Sequence, residues 1–167
     1  MATIIIEDGS IVDNANCYTN LILAAAYFDA KIHTEAWDAA ADELKTQALI
    51  TATNVIDNIF YWRGVAMTTT QPLQWPRGYA YNNYNVLIDS ESIPINLINA
   101  VHEQAFIFIS TDTISDQYIG ISKVRVADIE VVFDIDDRVS MVSDFVKKLL
   151  AGLGSFEPSN SIRIYRS

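Results

Sequence analysis

From Ala40 to Phe60 the apolar residues return at helical spacing, and no other stretch constrains the fold as strongly. Leu44, Ala48, Ala52, Val55 and Ile59 form one seam, and Leu49, Ile56 and Phe60 widen it to the face of a core helix. Shorter helices are expected around it. Thr19 can cap one that runs to about Lys31, with Leu21, Ala25 and Phe28 on a stripe. Pro94 suits the first turn of another that reaches about Ser110, carrying Leu97, Val101, Ala105 and Phe108. Ala105 to Ile109 are apolar all round, so that end should be buried. Ser140 or Asp137 can cap a last helix through Leu150, stopped by Gly152 and Gly154.

The β signals are weaker. Ile4-Ile5-Ile6 reads as a short extended run ending in the Asp8-Gly9 turn. Tyr118 to Val126 and Ile129 to Phe133 are β-branched runs joined around Ala127-Asp128, the pattern of a hairpin. Ser161 to Arg166 alternates like a strand too brief to stand alone, which suggests addition to another sheet edge. The expectation is a mainly α fold: a small helical bundle with a long aromatic loop, a β-hairpin and a short C-terminal strand or tail. It should form one domain over 1–167, with an extended segment at 1–16, the loop at 64–92 and the tail at 152–167. A chain of 167 residues, 50% of them hydrophobic, can bury one substantial core.

The loop is the distinctive feature. Between Asn58 and Leu87 there is no acidic residue, in a chain whose net charge is −10. The same stretch holds Phe60, Tyr61, Trp62, Trp75, Tyr79, Tyr81 and Tyr84, with Arg63 and Arg77 among them. Connections beyond ~15 residues are uncommon in compact domains and are usually functional or disordered. So many aromatics argue against disorder. Aromatic residues beside arginine build stacking platforms for single-stranded nucleic acid or anchors of a protein interface, and a third reading is a loop packed on itself.

Charge bears on that choice. Affinity for a phosphate backbone comes from neutralising it, and this chain is acidic. Five basic residues from Arg138 onward (Arg138, Lys147, Lys148, Arg163, Arg166) oppose only Asp144 and Glu157, so the acidity lies in the body. An acidic body with a basic end suits partner docking, and solvated surface charge explains it as well.

Nothing points to an enzyme, a metal or a cofactor. His33 and His102 are far apart, without zinc-ligand spacing, and read as structural or surface residues. Cys17, the sole cysteine, reads as a small buried residue; no internal disulfide is possible, consistent with a reducing compartment. Asp134, Asp136 and Asp137 lack the glycine and distal glutamate of a calcium loop. No glycine motif cradles phosphate. The N-terminal stretch lacks the basic region and apolar core of a signal peptide, and no apolar run approaches the ~18 residues that span a bilayer.

Several blocks resemble a family of small tailed-phage proteins encoded among virion genes. They are Ile6-Glu7-Asp8-Gly9-Ser10, Asn14-Ala15-Asn16-Cys17-Tyr18 and Ala26-Tyr27-Phe28 at the start, then Ala48-Leu49-Ile50-Thr51-Ala52-Thr53, Ile56-Asp57, Trp62-Arg63-Gly64 and the run from Gln71 to Arg77. Ile93-Pro94 with Ala100, Glu103 and Ala105, and Ile121-Ser122-Lys123-Val124 before Ile129-Glu130-Val131, extend the likeness. The match covers most of the chain and is weakest after Phe133. The family carries the label of DnaT-like single-stranded DNA-binding proteins, and its members also resemble head–tail connector, or adaptor, proteins.

The resemblance implies a mostly helical virion subunit in the phage neck, made in the host bacterial cytoplasm. It would form a homo-oligomeric ring, dodecameric in such connectors, between the portal protein and a downstream tail or nozzle protein. Genomic double-stranded DNA would pass through without specific binding, and no membrane is involved. The expected subunit, portal or tail contacts are Trp62, Arg63, Trp75, Pro76, Arg77, Tyr79 and Tyr81 in the loop, with Arg163, Tyr165 and Arg166 in the tail; Trp62, Arg63, Trp75, Pro76 and Arg77 should anchor the loop against its own bundle or a neighbouring subunit. The alternative is a single-strand binder that stacks bases on Trp62, Trp75, Tyr79 and Tyr81, with Arg63 and Arg77 on phosphates.

Overall fold

The computed structural model describes residues 2–111, the paired strands at 123–126 and 129–132, and residues 142–156. Its elements in chain order are α1 (Leu21–Asp29), α2 (Glu35–Ala39), α3 (Asp42–Ile59), β1 (Tyr61–Trp62), β2 (Val65–Ala66), β3 (Arg77–Gly78), α4 (Ile95–Ser110), β4 (Lys123–Val126), β5 (Ile129–Val132), α5 (Asp144–Leu150) and β6 (Gly154–Ser155). The fold is mainly helical with small antiparallel pairs: β1 with β6, β2 with β3, and β4 with β5. The two runs expected to form a hairpin pair antiparallel at 123–126 and 129–132, in the register Lys123↔Val132 to Val126↔Ile129, while 118–122, the connection at Ala127-Asp128 and Phe133 lie outside the described residues.

The core is built on α3 and α4, which pack along each other, with α5 added against α4 and α1 against both. On α3 the buried residues are Thr46, Ala48, Leu49, Ala52, Thr53 and Ile56. Leu44, expected in the seam, is exposed instead, and the buried stripe is completed by threonines. Thr53 can take that place because its hydroxyl donates to the Leu49 carbonyl at 3.0 Å, which removes the cost of burying it. On α4, Leu97, Ala100, Val101 and Ala105 are buried, but Phe106 to Ile109 are only half-buried. The bundle covers one side of that last turn and leaves the other open.

Three helix starts differ from expectation by a few residues. Asn20, not Thr19, caps α1 by accepting from Leu23 N. Thr19 is instead buried, bonded to His102. Ser143 caps α5 through Val146 N, in place of Ser140 or Asp137, which lie outside the described residues. Pro94 is the N-cap of α4 rather than its first residue. On α1 the buried positions are Ala24 and Phe28, while Ala25 faces outward. α2 was not expected. It spans only one turn, too short for a period to register, and exists to bury Trp37 against Phe28 at a ring separation of 4.4 Å.

The N-terminal segment is extended and bridges Ile6 to Cys17 in parallel. Its turn is held by the buried Glu7 carboxylate, which accepts from the backbone N–H groups of Gly9, Ile11 and Val12 at 2.8–3.0 Å. Gly9 has φ +108 and sits against the Glu91 carbonyl, where a Cβ would come within 2.1 Å.

Candidate interaction loop

The segment after α3 is folded, and the core holds it from two sides. β1 runs beside β6, with Tyr61 opposite Ser155 and Trp62 opposite Gly154, and Arg63 N donates to the Leu153 carbonyl at 2.9 Å. Gly64 then reverses the chain at φ +74; a Cβ there would lie 2.5 Å from the Gly78 carbonyl, so only glycine fits without distortion. β2 and β3 pair immediately beyond it. A ladder of edge-to-face rings runs through these pieces: Phe156 on Phe60 (4.8 Å), Phe60 on Trp62 (4.6 Å) and Trp62 on Trp75 (5.9 Å). Trp75 is 0% exposed and is joined to Pro76 by a cis peptide.

A polar clamp fixes Trp75 to the bundle. The Tyr18 hydroxyl donates to the Asp57 carboxylate (2.8 and 2.9 Å) and accepts from Trp75 N at 3.0 Å. Gln74 N donates to Asp57 Oδ2 at 3.0 Å. Burial raises the Asp57 pKa from 3.8 to about 6, opposed by these hydrogen bonds and by Arg77. Burial, followed by the Asp57 charge, pushes the Tyr18 hydroxyl well above its ordinary value.

Arg77 is spent on the loop itself. Its guanidinium donates to the carbonyls of Arg63 (2.9 Å), Gly64 (3.1 Å) and Gln74 (3.1 Å), and to the Gln74 side chain at 3.2 Å. Gln71 adds bonds to the Leu73 and Pro76 carbonyls at 2.7 and 3.2 Å. Such groups satisfy a tight turn whose backbone has no ladder partner.

Beyond β3 the chain projects as a small finger. Tyr81 bridges Leu87, Asn82 N donates to the Val86 carbonyl (3.0 Å) and Ile88 N to the Ala80 carbonyl (2.8 Å). The Asn82 side chain accepts from Tyr84 N and Val86 N, and Asn85 turns the tip at φ +58. Tyr79, Tyr81, Tyr84, Val86 and Leu87 are all exposed on this finger.

The expected contact residues thus divide. Trp75, Pro76 and Arg77 are buried within the subunit and Trp62 half-buried, so these four are engaged inside it, Trp75 through Tyr18 and Arg77 through the carbonyls of its own loop. Arg63, Tyr79 and Tyr81 are exposed. Arg163, Tyr165 and Arg166 lie outside the described residues. Sequence reasoning missed the clamp of Tyr18 and Asp57, whose partners are distant in the chain. It also missed Val86 and Leu87 as finger residues, although the asparagines Asn82, Asn83 and Asn85 were a turn signal.

The remaining polar residues do structural work. His102 is buried, with its Nε2 2.7 Å from Thr19 Oγ1. Burial lowers its pKa to about 4 and keeps it neutral. Glu103 accepts from Tyr27 and Lys31. Cys17 is fully buried, and its thiol is raised by burial, the opposite of an activated nucleophile. Among the described residues no cluster of His, Cys, Asp or Glu could hold a metal ion, and no helix is long and apolar enough to cross a membrane.

Comparison with known proteins gives one match: the model of a family described as "Putative DnaT-like ssDNA binding protein" covers residues 2–167. No curated protein and no solved structure matches.

Proposed function

The chain belongs to this DnaT-like family, which it matches over residues 2–167, and from that premise we propose that it is a self-assembling structural subunit, a head–tail adaptor of a tailed phage. In this reading copies form a ring between the portal and the tail, and the acidic body lets DNA slide through because like charges do not bind. One observation carries the choice of a protein contact over a nucleic-acid one. The finger exposes Tyr79, Tyr81, Tyr84, Val86 and Leu87 together, while Arg77 is consumed by internal hydrogen bonds and the net charge is −10. An exposed apolar finger with Arg63 as the loop's one exposed cation fits a protein partner.

The second reading is single-strand binding, favoured by the family's description and by the exposed Tyr79, Tyr81 and Tyr84. It loses two of the platforms expected of it. Trp75 is fully buried, and Trp62 is half-buried and held edge-to-face between Phe60 and Trp75 inside the subunit. Arg63 is the one exposed cation of the loop, too little for the phosphate neutralisation that such binding requires.

The test compares the mass of the purified chain, and its appearance by electron microscopy, with an oligonucleotide titration at low and moderate salt. Rings without appreciable oligonucleotide binding are the expected result. A monomer that binds oligonucleotides tightly, with a steep salt dependence, overturns the adaptor reading in favour of the second.

A further inference from the structure

Two surfaces of the described chain remain apolar and uncovered, and they are different surfaces. The first is the finger, with Tyr84 88% and Tyr79 77% exposed beside Val86 and Leu87. The second is the outer side of α1. That helix reads Leu-Ile-Leu-Ala-Ala-Ala-Tyr-Phe-Asp and is apolar nearly all round, yet it buries only Ala24 and Phe28. Ile22 is 79% and, just past the helix, Ile32 is 82% exposed, with Leu23, Ala25 and Ala26 also facing out. A helix apolar on every side normally has neighbours on every side.

Charge narrows the occupant to a second copy. No charged residue occurs from Asn14 to Phe28, and no acidic residue from Asn58 to Leu87. Elsewhere the chain carries enough acid to give −10 overall, so two copies repel over most of their surfaces. The finger, and the α1 face as far as Phe28, are surfaces on which copies can meet without that repulsion, and Ile32 extends the second just past Asp29 and Lys31. The finger's tip is ordered by Asn82, whose side chain accepts from Tyr84 N and Val86 N, so little ordering entropy is lost on docking. On α1 the small Ala25 and Ala26 stand exposed beside Ile22.

We infer that the finger of one subunit docks on the outer face of α1 of the next, with Tyr84, Val86 and Leu87 against Ile22, Ala26 and Ile32. Because the two surfaces are distinct, the contact is heterologous: each copy offers a free finger and a free α1 face until a ring closes. The inference rests on the self-assembling reading above and specifies its geometry.

Two variants separate the possibilities: Tyr84→Glu blocks the finger and Ile22→Glu blocks the α1 face. Both sites are exposed, so each variant should stay folded, with the far-ultraviolet circular dichroism of the wild type. Sedimentation of the wild type should give the oligomer, and each variant alone should fall to the mass of the 18.6 kDa chain. An equimolar mixture should rise to twice that mass and stop. There the intact finger of one variant meets the intact α1 face of the other, and the dimer cannot extend. As a second measurement, Tyr84→Cys mixed with Ile22→Cys should form an oxidised cross-link that neither forms alone, since Cys17 is buried.

A mixture that stays monomeric and uncross-linked beside an oligomeric wild type overturns this contact while leaving self-assembly standing. So does cross-linking of Tyr84→Cys to itself, which would indicate a symmetric contact. A drop in melting temperature for Ile22→Glu with the oligomer unchanged would mean that a segment of the same chain covers α1, and also overturns it. A wild type that is monomeric at every concentration sinks the self-assembling reading, and this inference with it.

Discussion

Replacing Asp57 with asparagine probes the carboxyl on which the loop is clamped. That group accepts from the Tyr18 hydroxyl and from Gln74 N, and burial raises its pKa from 3.8 to about 6. Between those values the folded chain keeps a proton that the unfolded chain has released. Stability from this group is therefore fully present below about pH 4 and is lost as the pH rises through about 6. The shift of ~2 units, at ~1.4 kcal/mol each, gives about 3 kcal/mol. Solvent at the half-buried carboxyl reduces that to about 2 kcal/mol.

His102 acts in the opposite sense. Its pKa is lowered from 6.5 to about 4 by burial, so its contribution is lost as the pH falls across nearly the same window. The wild-type profile alone is thus nearly flat from these two groups, and the signal lies in the difference between variant and wild type. Asparagine mimics the protonated carboxyl. Urea denaturation should find the two proteins alike near the acid end of the window, and the variant more stable by about 2 kcal/mol at neutral pH. A difference that does not change with pH, or that turns toward the wild type as pH rises, refutes the raised carboxyl.

Two further substitutions test the loop's attachment. Trp75→Ala should cost the single subunit on the order of 3–5 kcal/mol in chemical denaturation. The Trp75 indole N–H makes no hydrogen bond in the described structure, so the loss is one of packing; a cost below ~1 kcal/mol would show that the ring is not a core residue. Gly64→Ala should destabilise by roughly 1–3 kcal/mol, since it adds strain at φ +74 to a contact 2.5 Å from the Gly78 carbonyl. An unchanged denaturation midpoint would contradict that backbone geometry.

The helical bundle was legible because burial on one face leaves a period in the sequence. Leu49, Ala52 and Ile56 on α3, and Leu97, Val101 and Ala105 on α4, are buried as that period requires. Thr46 and Thr53 were not legible as core residues, because their burial depends on hydrogen bonding that a hydropathy pattern does not record. The loop was recognisable as an ordered segment from its aromatics. Its division into inner and outer residues was not. Trp75 looks the same in sequence whether it anchors a neighbour or its own bundle, and the difference is made by Tyr18 and Asp57, the first of which stands 57 residues from Trp75 and 39 from the second. Arg77 is similar: a cation read as available for a partner is surrounded by carbonyls of its own turn. The finger follows from asparagine turn chemistry, which is local, and could have been read from Asn82 to Asn85.

The pairing of β1 with β6 sets an order of events for a chain emerging from the ribosome. Trp62 finds its partner strand at Gly154, and Phe60 its outer ring at Phe156. These contacts span most of the sequence, and long loops close late. Until α5 and the residues after it have been synthesised, Phe60, Trp62 and the backbone of Tyr61 lack the strand that shelters them. The nascent protein thus carries an open, aromatic strand edge for much of its synthesis, the kind of surface on which chains misassociate or chaperones act.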